Sequence, residues 1–180
     1  MQASANKIFT VVGDHELRLC LVLNRLSSNY VILKVFQSVS RLGNGAFWYG
    51  LLVLIPFINN EHGLVQATHI MTTALCVLAI YKLVKERLVR ERPYISSTSI
   101  LQYAPALDRY SFPSGHTMHA FSFSILFSYY MPSLTLVVWI FTALVTLSRI
   151  VLGLHYPTDV AVGALLGTLF AVMSLNLFAL

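Results

Sequence analysis

The chain has 180 residues, of which 57% are hydrophobic and only 11% charged, and its mean hydropathy is +0.71. Ordinary soluble domains carry roughly 25% charged residues and about 45–50% apolar ones, so the composition excludes most soluble folds, a disordered chain and a nucleic-acid-binding tail. Twelve Lys and Arg against seven Asp and Glu leave a net charge of +5, whose meaning depends on where the charges fall.

The length fits one domain, and because about 20 mostly apolar residues cross a bilayer, a handful of crossings consumes nearly all of it. Residues 1–41 mix charge with apolar positions. Ile8 to Val12 is followed at once by Asp14, His15, Glu16 and Arg18, which is not the pattern of a cleaved leader, and none is expected. Leu17, Cys20, Leu21, Leu23 and Asn24 to Leu26 suggest a short amphipathic helix with Arg18 and Arg25 on its wet side. This N-terminal segment is expected on the membrane surface, since an arginine at mid-bilayer costs about 2.5–3.5 kcal/mol even on the insertion scale. Cys20 and Cys76, the only cysteines, have no second thiol at metal or redox spacing and read as small apolar side chains.

Residues 42–180 read as the transmembrane domain. Leu42 to Asn60 is uncharged and is the first predicted span; after the turn-like Asn59-Asn60-Glu61-His62-Gly63, Leu64 to Tyr81 is the second. Residues 82–113 form a polar loop, where Lys85, Arg92 and Pro93 leave the apolar pattern. Tyr110 to Ser148 lacks Lys, Arg, Asp and Glu and divides at Met131-Pro132-Ser133 into spans three and four. Val160 to Leu180 is the fifth, with Gly163 and Gly167 at the small-xxx-small spacing that lets helices approach closely. The expected fold is therefore all-α: a polytopic membrane helix bundle of about five transmembrane helices plus an N-terminal amphipathic surface helix. Alternating crossings bring the chain near residues 42, 82–113 and 148–157 to one side of the membrane.

Three polar motifs meet there. Lys85 and Arg92 are seven positions apart, so a continuous helix would place both cations on one face about 10 Å apart; taken alone they are equally snorkelling interface anchors. Pro113-Ser114-Gly115-His116 precedes an apolar run, and a Ser-Gly pair at a helix start offers N–H groups and a hydroxyl to an anion, or simply caps the helix. His119, one turn on, reads as an interior histidine or a supporting partner. Ser148-Arg149-x5-His155-x3-Asp159 sets an arginine beside a long uncharged run, which is costly without an anion to bind. His155 and Asp159 are an i, i+4 pair if helical, the spacing at which a carboxylate holds an imidazole in one tautomer; a purely structural pair has the same spacing.

The combination Lys85-x6-Arg92-Pro93, Pro113-Ser114-Gly115-His116 and Ser148-Arg149-x5-His155-x3-Asp159 resembles the three-part signature of the type 2 phosphatidic acid phosphatase superfamily, which includes glucose-6-phosphatase and the vanadium haloperoxidases. Every signature position is matched across residues 85–159. The resemblance implies a membrane phosphatase acting on a lipid phosphate monoester or diphosphate through a phosphohistidine. In it His155 is the nucleophile, Asp159 orients it, and His116 protonates the leaving oxygen and then activates water. Lys85, Arg92 and Arg149, with Ser114 and the Gly115 N–H, bind the phosphoryl oxygens. No metal or other cofactor, no nucleic acid and no obligate protein partner is implied; the partners are the lipid phosphate and the surrounding lipids. A lipid phosphotransferase using the same intermediate, and a lipid transport or binding protein on the same scaffold, remain open. Haloperoxidase chemistry is disfavoured by the membrane spans. Phosphatidic acid, phosphatidylglycerophosphate, undecaprenyl diphosphate and phosphorylated lipid A all fit an interfacial site.

All twelve Lys and Arg fall on the predicted active-site side: Lys7, Arg18, Arg25, Lys34, Arg41, Lys82, Lys85, Arg87, Arg90, Arg92, Arg109 and Arg149. In a bacterial inner membrane the positive-inside rule then favours a cytoplasm-facing site, whereas the resemblance favours the outer face.

Overall fold

A computed structural model describes residue 13 and residues 15–178 of the chain. Lys7, the Ile8–Val12 stretch, Asp14 and the last two residues of the fifth apolar run lie outside the described residues. Among those described, all regular structure is helical: α1 (His15–Ser28, its last turn a tighter 3-10 helix), α2 (Tyr30–Leu42), α3 (Ala46–Ile58), α4 (Gly63–Arg87), the single turn α5 (Pro93–Ser96), α6 (Gly115–Tyr130), α7 (Thr135–Val151) and α8 (Pro157–Leu177).

Local chemistry sets the boundaries. The Asn29 side chain accepts hydrogen bonds from the Val31 and Ile32 N–H groups, capping α2, and the chain bends by 110° between α1 and α2. Pro132 starts the 3-10 turn that joins α6 to α7. Pro157 opens α8, where its missing N–H costs nothing, and Asp159 sits in the first turn, complementing the helix dipole.

Three described helical stretches are long and apolar enough to cross a membrane, α4, Pro132–Val151 and α8, and the bent α1–α2 pair brings the number to four if it counts as one span. The expected five are not all met by helices of that length. α3 has only 13 residues with Pro56 in its last turn, and α6 has 16. At 1.5 Å per residue these cover roughly 20 and 24 Å of a hydrocarbon core about 30 Å thick. The uncharged run at 42–60 overstated the first crossing because the Gly43-Asn44-Gly45 turn takes up its beginning; Gly45 has φ +137°, outside helical geometry.

α6 is the central helix, packed along α8 and flanked by α7 and α4. Its closest approach is made possible by Gly163 and Gly167: a Cβ on Gly163 would lie 2.6 Å from the Ser114 carbonyl oxygen, and one on Gly167 would collide with the Met118 carbonyl. Trp48 stacks on Phe123 at 5.2 Å between ring centroids and meets Phe141 edge-on at 5.4 Å, tying α3 to α6 and α7. Leu136, Val137 and Ile140 on α7 and Leu165, Leu169 and Val172 on α8 are left outward-facing, as side chains in contact with acyl chains should be. At one end of this bundle the C-termini of α4 and α7 meet the N-termini of α6 and α8.

The N-terminal helix faces inward as well as outward. Arg18 and Arg25 are exposed as expected, but the opposite face reaches deep. Asn24 donates to the Val151 and Leu101 carbonyls at 2.9 and 3.0 Å and accepts from the Leu101 N–H at 3.0 Å, clamping α1 to the end of α7 and to the loop after α5. Gly153 allows this meeting, with φ +77° and a Cβ position only 2.6 Å from the Leu101 carbonyl.

Candidate active site

The end of α4, the loop 88–114, the start of α6, the end of α7 and the start of α8 bring the three motifs together. Lys85 lies in the last turn of α4 and Arg149 near the end of α7, where cations complement the helix dipoles. Arg92 is not on the helix of Lys85: α4 stops at Arg87 and Arg92 is extended, at φ −80°, ψ 153°. The two cations nevertheless converge, because the chain folds back after α4. Lys85 Nζ and Arg92 Nη2 lie 2.8 and 2.7 Å from the same oxygen, Asp108 Oδ1. The continuous-helix separation of about 10 Å is thus replaced by a much closer pairing.

His155 also stands outside the helix, in the turn before α8, while Asp159 is inside it. His155 Nδ1 is 3.6 Å from Asp159 Oδ2, an ion-pair rather than hydrogen-bond distance. Arg92 Nη1 lies 3.3 Å from His155 Nε2 and donates to the Leu154 carbonyl at 2.7 Å. Since a guanidinium only donates, Nε2 is the accepting nitrogen and the ring proton belongs on Nδ1, facing Asp159. Burial first, then the charges of Arg149, Arg92 and Lys85, push this imidazole well below its ordinary pKa.

Arg149 is 2% exposed; its Nη1 donates to Ser40 Oγ at 2.6 Å, and its Nε has no hydrogen-bond partner among the described residues. His116, in the first turn of α6, shares a hydrogen bond of 2.6 Å between Nε2 and Asn44 Oδ1. Ser114 caps α6, but its hydroxyl pairs with Thr117 Oγ1 at 3.0 Å, and its N–H donates to the Asp159 carbonyl at 3.0 Å. Gly115 begins the helix against the Tyr81 ring, with no room for a Cβ. His119 Nδ1 pairs with the Gly115 carbonyl at 2.9 Å, and the half-buried ring lines the same cavity as His116. A cavity of about 200 Å³ opens beside His116, walled by Trp48, Tyr49, Leu78, Tyr81, Leu107 and Phe123. Among the described residues no three His, Cys, Asp or Glu side chains are grouped as metal ligands.

Four partners were not singled out by sequence pattern. Asp108 accepts from Lys85, Arg92 and the Tyr81 hydroxyl. Burial alone would raise its carboxyl pKa, but hydrogen bonds from Lys85 and Tyr81 and the charges of Lys85 and Arg92 hold it below the ordinary carboxylate range. Its signal in the sequence is that it is the sole acidic residue between Glu91 and Asp159. Arg90 bridges Asp159 Oδ1 at 2.7 Å and Glu16 Oε2 at 2.6 Å, and stacks on the Tyr156 ring at 3.9 Å. Glu16, 6% exposed on α1, also accepts from the Thr158 N–H at 2.7 Å. The sign available in the sequence was an acid with no cation three or four positions further on, where Leu19 and Cys20 stand. Asn44, the fourth, lies in a glycine turn and carries no such mark.

The PAP2 superfamily profile matches residues 64–179. Phosphatidylglycerophosphatase B of Bacillus subtilis (strain 168) is 29% identical over 154 residues, covering 76% of this chain and 70% of that protein. The bacitracin transport permease protein BcrC of Bacillus licheniformis is 48% identical over 63 residues, which is 34% of this chain and 30% of that one. Among solved structures, LpxE of Aquifex aeolicus superposes with a TM-score of 0.77 at 24% identity, over 89% of this chain and 94% of the other. A transmembrane PAP2-type phosphatidylglycerolphosphate phosphatase from Bacillus subtilis superposes with a TM-score of 0.67 at 22% identity, over 98% and 94%. At those identities the structures speak for the fold.

Proposed function

Because this chain belongs to the PAP2 superfamily, we propose that it hydrolyses the terminal phosphate of a lipid phosphate monoester or diphosphate through a phosphohistidine on His155. The observation that carries this reading is the setting of His155: a buried imidazole whose Nε2 faces Arg92, with Lys85 and Arg149 buried nearby.

In this mechanism the phosphoryl oxygens bind Lys85, Arg92 and Arg149, the N–H groups at the start of α6 add their dipole, and Ser114 turns its hydroxyl from Thr117 toward the phosphate. Arg92 transfers its contact from Nε2 to a phosphoryl oxygen, freeing the lone pair to attack phosphorus in line. The P–N bond forms as the P–O bond to the lipid breaks, and His116 protonates the departing oxygen. Asp159, held by Arg90, balances the positive imidazole. Water then attacks the phosphohistidine, His116 takes its proton, and inorganic phosphate leaves with Nε2 restored. Phosphoryl transfer of this kind depends on positioning and charge stabilisation, which three cations supply without a metal. The apolar cavity beside His116 suits a lipid leaving group, with tails reaching the bilayer between α3 and α4.

The similarity to the Bacillus phosphatidylglycerophosphatase supports a glycerophospholipid phosphate such as phosphatidylglycerophosphate as the substrate. All cationic residues of the described chain lie on the elements and loops at the site end, so the active site is proposed to face the cytoplasm. Phosphate release by purified wild type and His155→Ala, measured over phosphatidic acid, phosphatidylglycerophosphate, undecaprenyl diphosphate and lipid A in detergent, tests the assignment. The expected result is chelator-resistant release from at least one lipid, lost in the variant. A soluble phosphosugar as the only good substrate overturns it, and C-terminal reporters active on one side of the membrane test the orientation.

A further inference from the structure

Asp108 occupies the two cations that a phosphoryl oxygen needs. We propose that its carboxylate is a tethered competitor seated in the phosphate cradle of the resting enzyme, and that the need to displace it selects terminal phosphate groups over phosphodiester head groups. This inference rests on the cradle assigned above.

One oxygen of Asp108 touches both Lys85 and Arg92, and the guanidinium that holds it reaches His155 Nε2 with its other terminal nitrogen, at 3.3 Å. The carboxylate therefore lies one guanidinium width from the nitrogen that attacks phosphorus. Tyr81 donates to the second oxygen and Arg92 Nε to the Asp108 carbonyl at 3.2 Å, so the residue is held at several points. The cations are enclosed, with side chains 9% and 2% exposed, while Asp108 at 31% forms the lip. It lies in an irregular stretch between α5 and α6, beside exposed Leu107, which also walls the cavity next to His116. Withdrawing this segment breaks no helix and opens the cations and the lipid cavity together.

The selection follows from charge. A membrane surface is crowded with phosphodiesters, each carrying one negative charge on its phosphate, and an open cradle of three cations would bind them. A tethered carboxylate of equal charge is present at millimolar or higher effective concentration, so a diester gains nothing by replacing it. A terminal phosphate carries about −1.5 to −2 at pH 7 and three acceptor oxygens. It can satisfy Lys85 and Arg92 and also reach Arg149, whose Nε is unpartnered among the described residues.

The test uses the full chain in neutral detergent micelles with phosphatidic acid as substrate, adding dihexadecyl phosphate as a singly charged diester and a phosphate-free monogalactosyl diacylglycerol as the uncharged-lipid control. Wild type is expected to be nearly indifferent to the diester. Asp108→Asn is expected to be inhibited competitively, with a Ki lower by about tenfold or more, and Tyr81→Phe, which loosens the carboxylate, by a smaller factor. Inorganic phosphate is expected to raise the thermal midpoint of Asp108→Asn more than that of wild type. Equal diester Ki values in wild type and Tyr81→Phe overturn the proposal even if Asp108→Asn does not fold, as does a loss of phosphate affinity in a folded Asp108→Asn. Full phosphate release by His155→Ala would instead sink the underlying site assignment, whatever the Asp108 variants do.

Discussion

Both ends of the helix bundle bury polar side chains, but they satisfy them differently. At the end remote from the motifs, His69 on α4 is 1% exposed, and both of its ring nitrogens are paired, Nδ1 with Tyr130 Oη at 2.6 Å and Nε2 with Ser174 Oγ at 2.8 Å. Thr73 closes the group, donating to the His69 carbonyl and sharing a hydrogen bond with Ser174 Oγ. These residues come from α4, α6 and α8, and the network has no formal charge and no surplus donor. At the motif end Arg149 Nε and His155 Nδ1 are buried without a hydrogen bond among the described residues, and Lys85 and Arg92 share one carboxylate oxygen. A closed polar network ties helices together inside the membrane. An open one, with more donors than acceptors, keeps capacity for an anion.

Substitutions at the two ends should separate these roles. The largest effect is expected at His155: its change to Ala should reduce phosphate release by on the order of 10³-fold or more, since no other group replaces the attacking nitrogen. Arg149→Met comes next, with a loss of roughly 10²–10³ in turnover. Its thermal midpoint should hold or rise, because removing a buried, under-compensated cation relieves its desolvation. A large fall in the midpoint would show that Arg149 is a structural residue like those of the remote end.

Glu16→Gln probes the partner behind Asp159. Weakening the Glu16–Arg90–Asp159 chain should lower kcat by roughly tenfold with little change in KM, a size typical of residues that orient a functional side chain. Loss of stability without a change in kcat would assign the chain to architecture alone. His69→Ala should do the converse: turnover within a few-fold of wild type, and stability lower by about 1–3 kcal/mol, as for a buried hydrogen-bonded group removed from its partners. If it abolishes turnover without loss of stability, the two ends are not independent.

The smallest effect concerns pH. The carboxyl of Asp108 is held below its ordinary value, so its contribution to stability is complete above the unfolded carboxylate pKa of about 3.9 and is lost as pH falls through the lower folded value. The difference in thermal midpoint between wild type and Asp108→Asn, followed in detergent from about pH 5 to about pH 3, should narrow on acidification. A difference that widens would reverse the sign of the Lys85–Asp108–Arg92 interaction.

Composition and charge spacing alone determined that the chain is a helical membrane protein, because uncharged runs such as Leu64 to Tyr81 and Val160 to Leu180 have the length of a membrane-crossing helix, about twice that of a barrel strand. The order and spacing of three short motifs also specified the family, since each motif is local and needs no knowledge of packing. What the tertiary structure decided lies between residues distant in sequence. Lys85 and Arg92 meet through Asp108, not along a helix; Glu16 reaches Arg90 and the start of α8 from the far end of the chain; and Asn44 meets His116 across the α2–α3 turn. The number of full-length spans was decided there too, because an uncharged run reports hydrophobicity but not where a helix starts, and glycine turns and Pro56 shorten α3. Periodicity and spacing encode what each segment is. Which charged group stands against which depends on how those segments pack, and in this protein that packing sets Asp108 against Lys85 and Arg92.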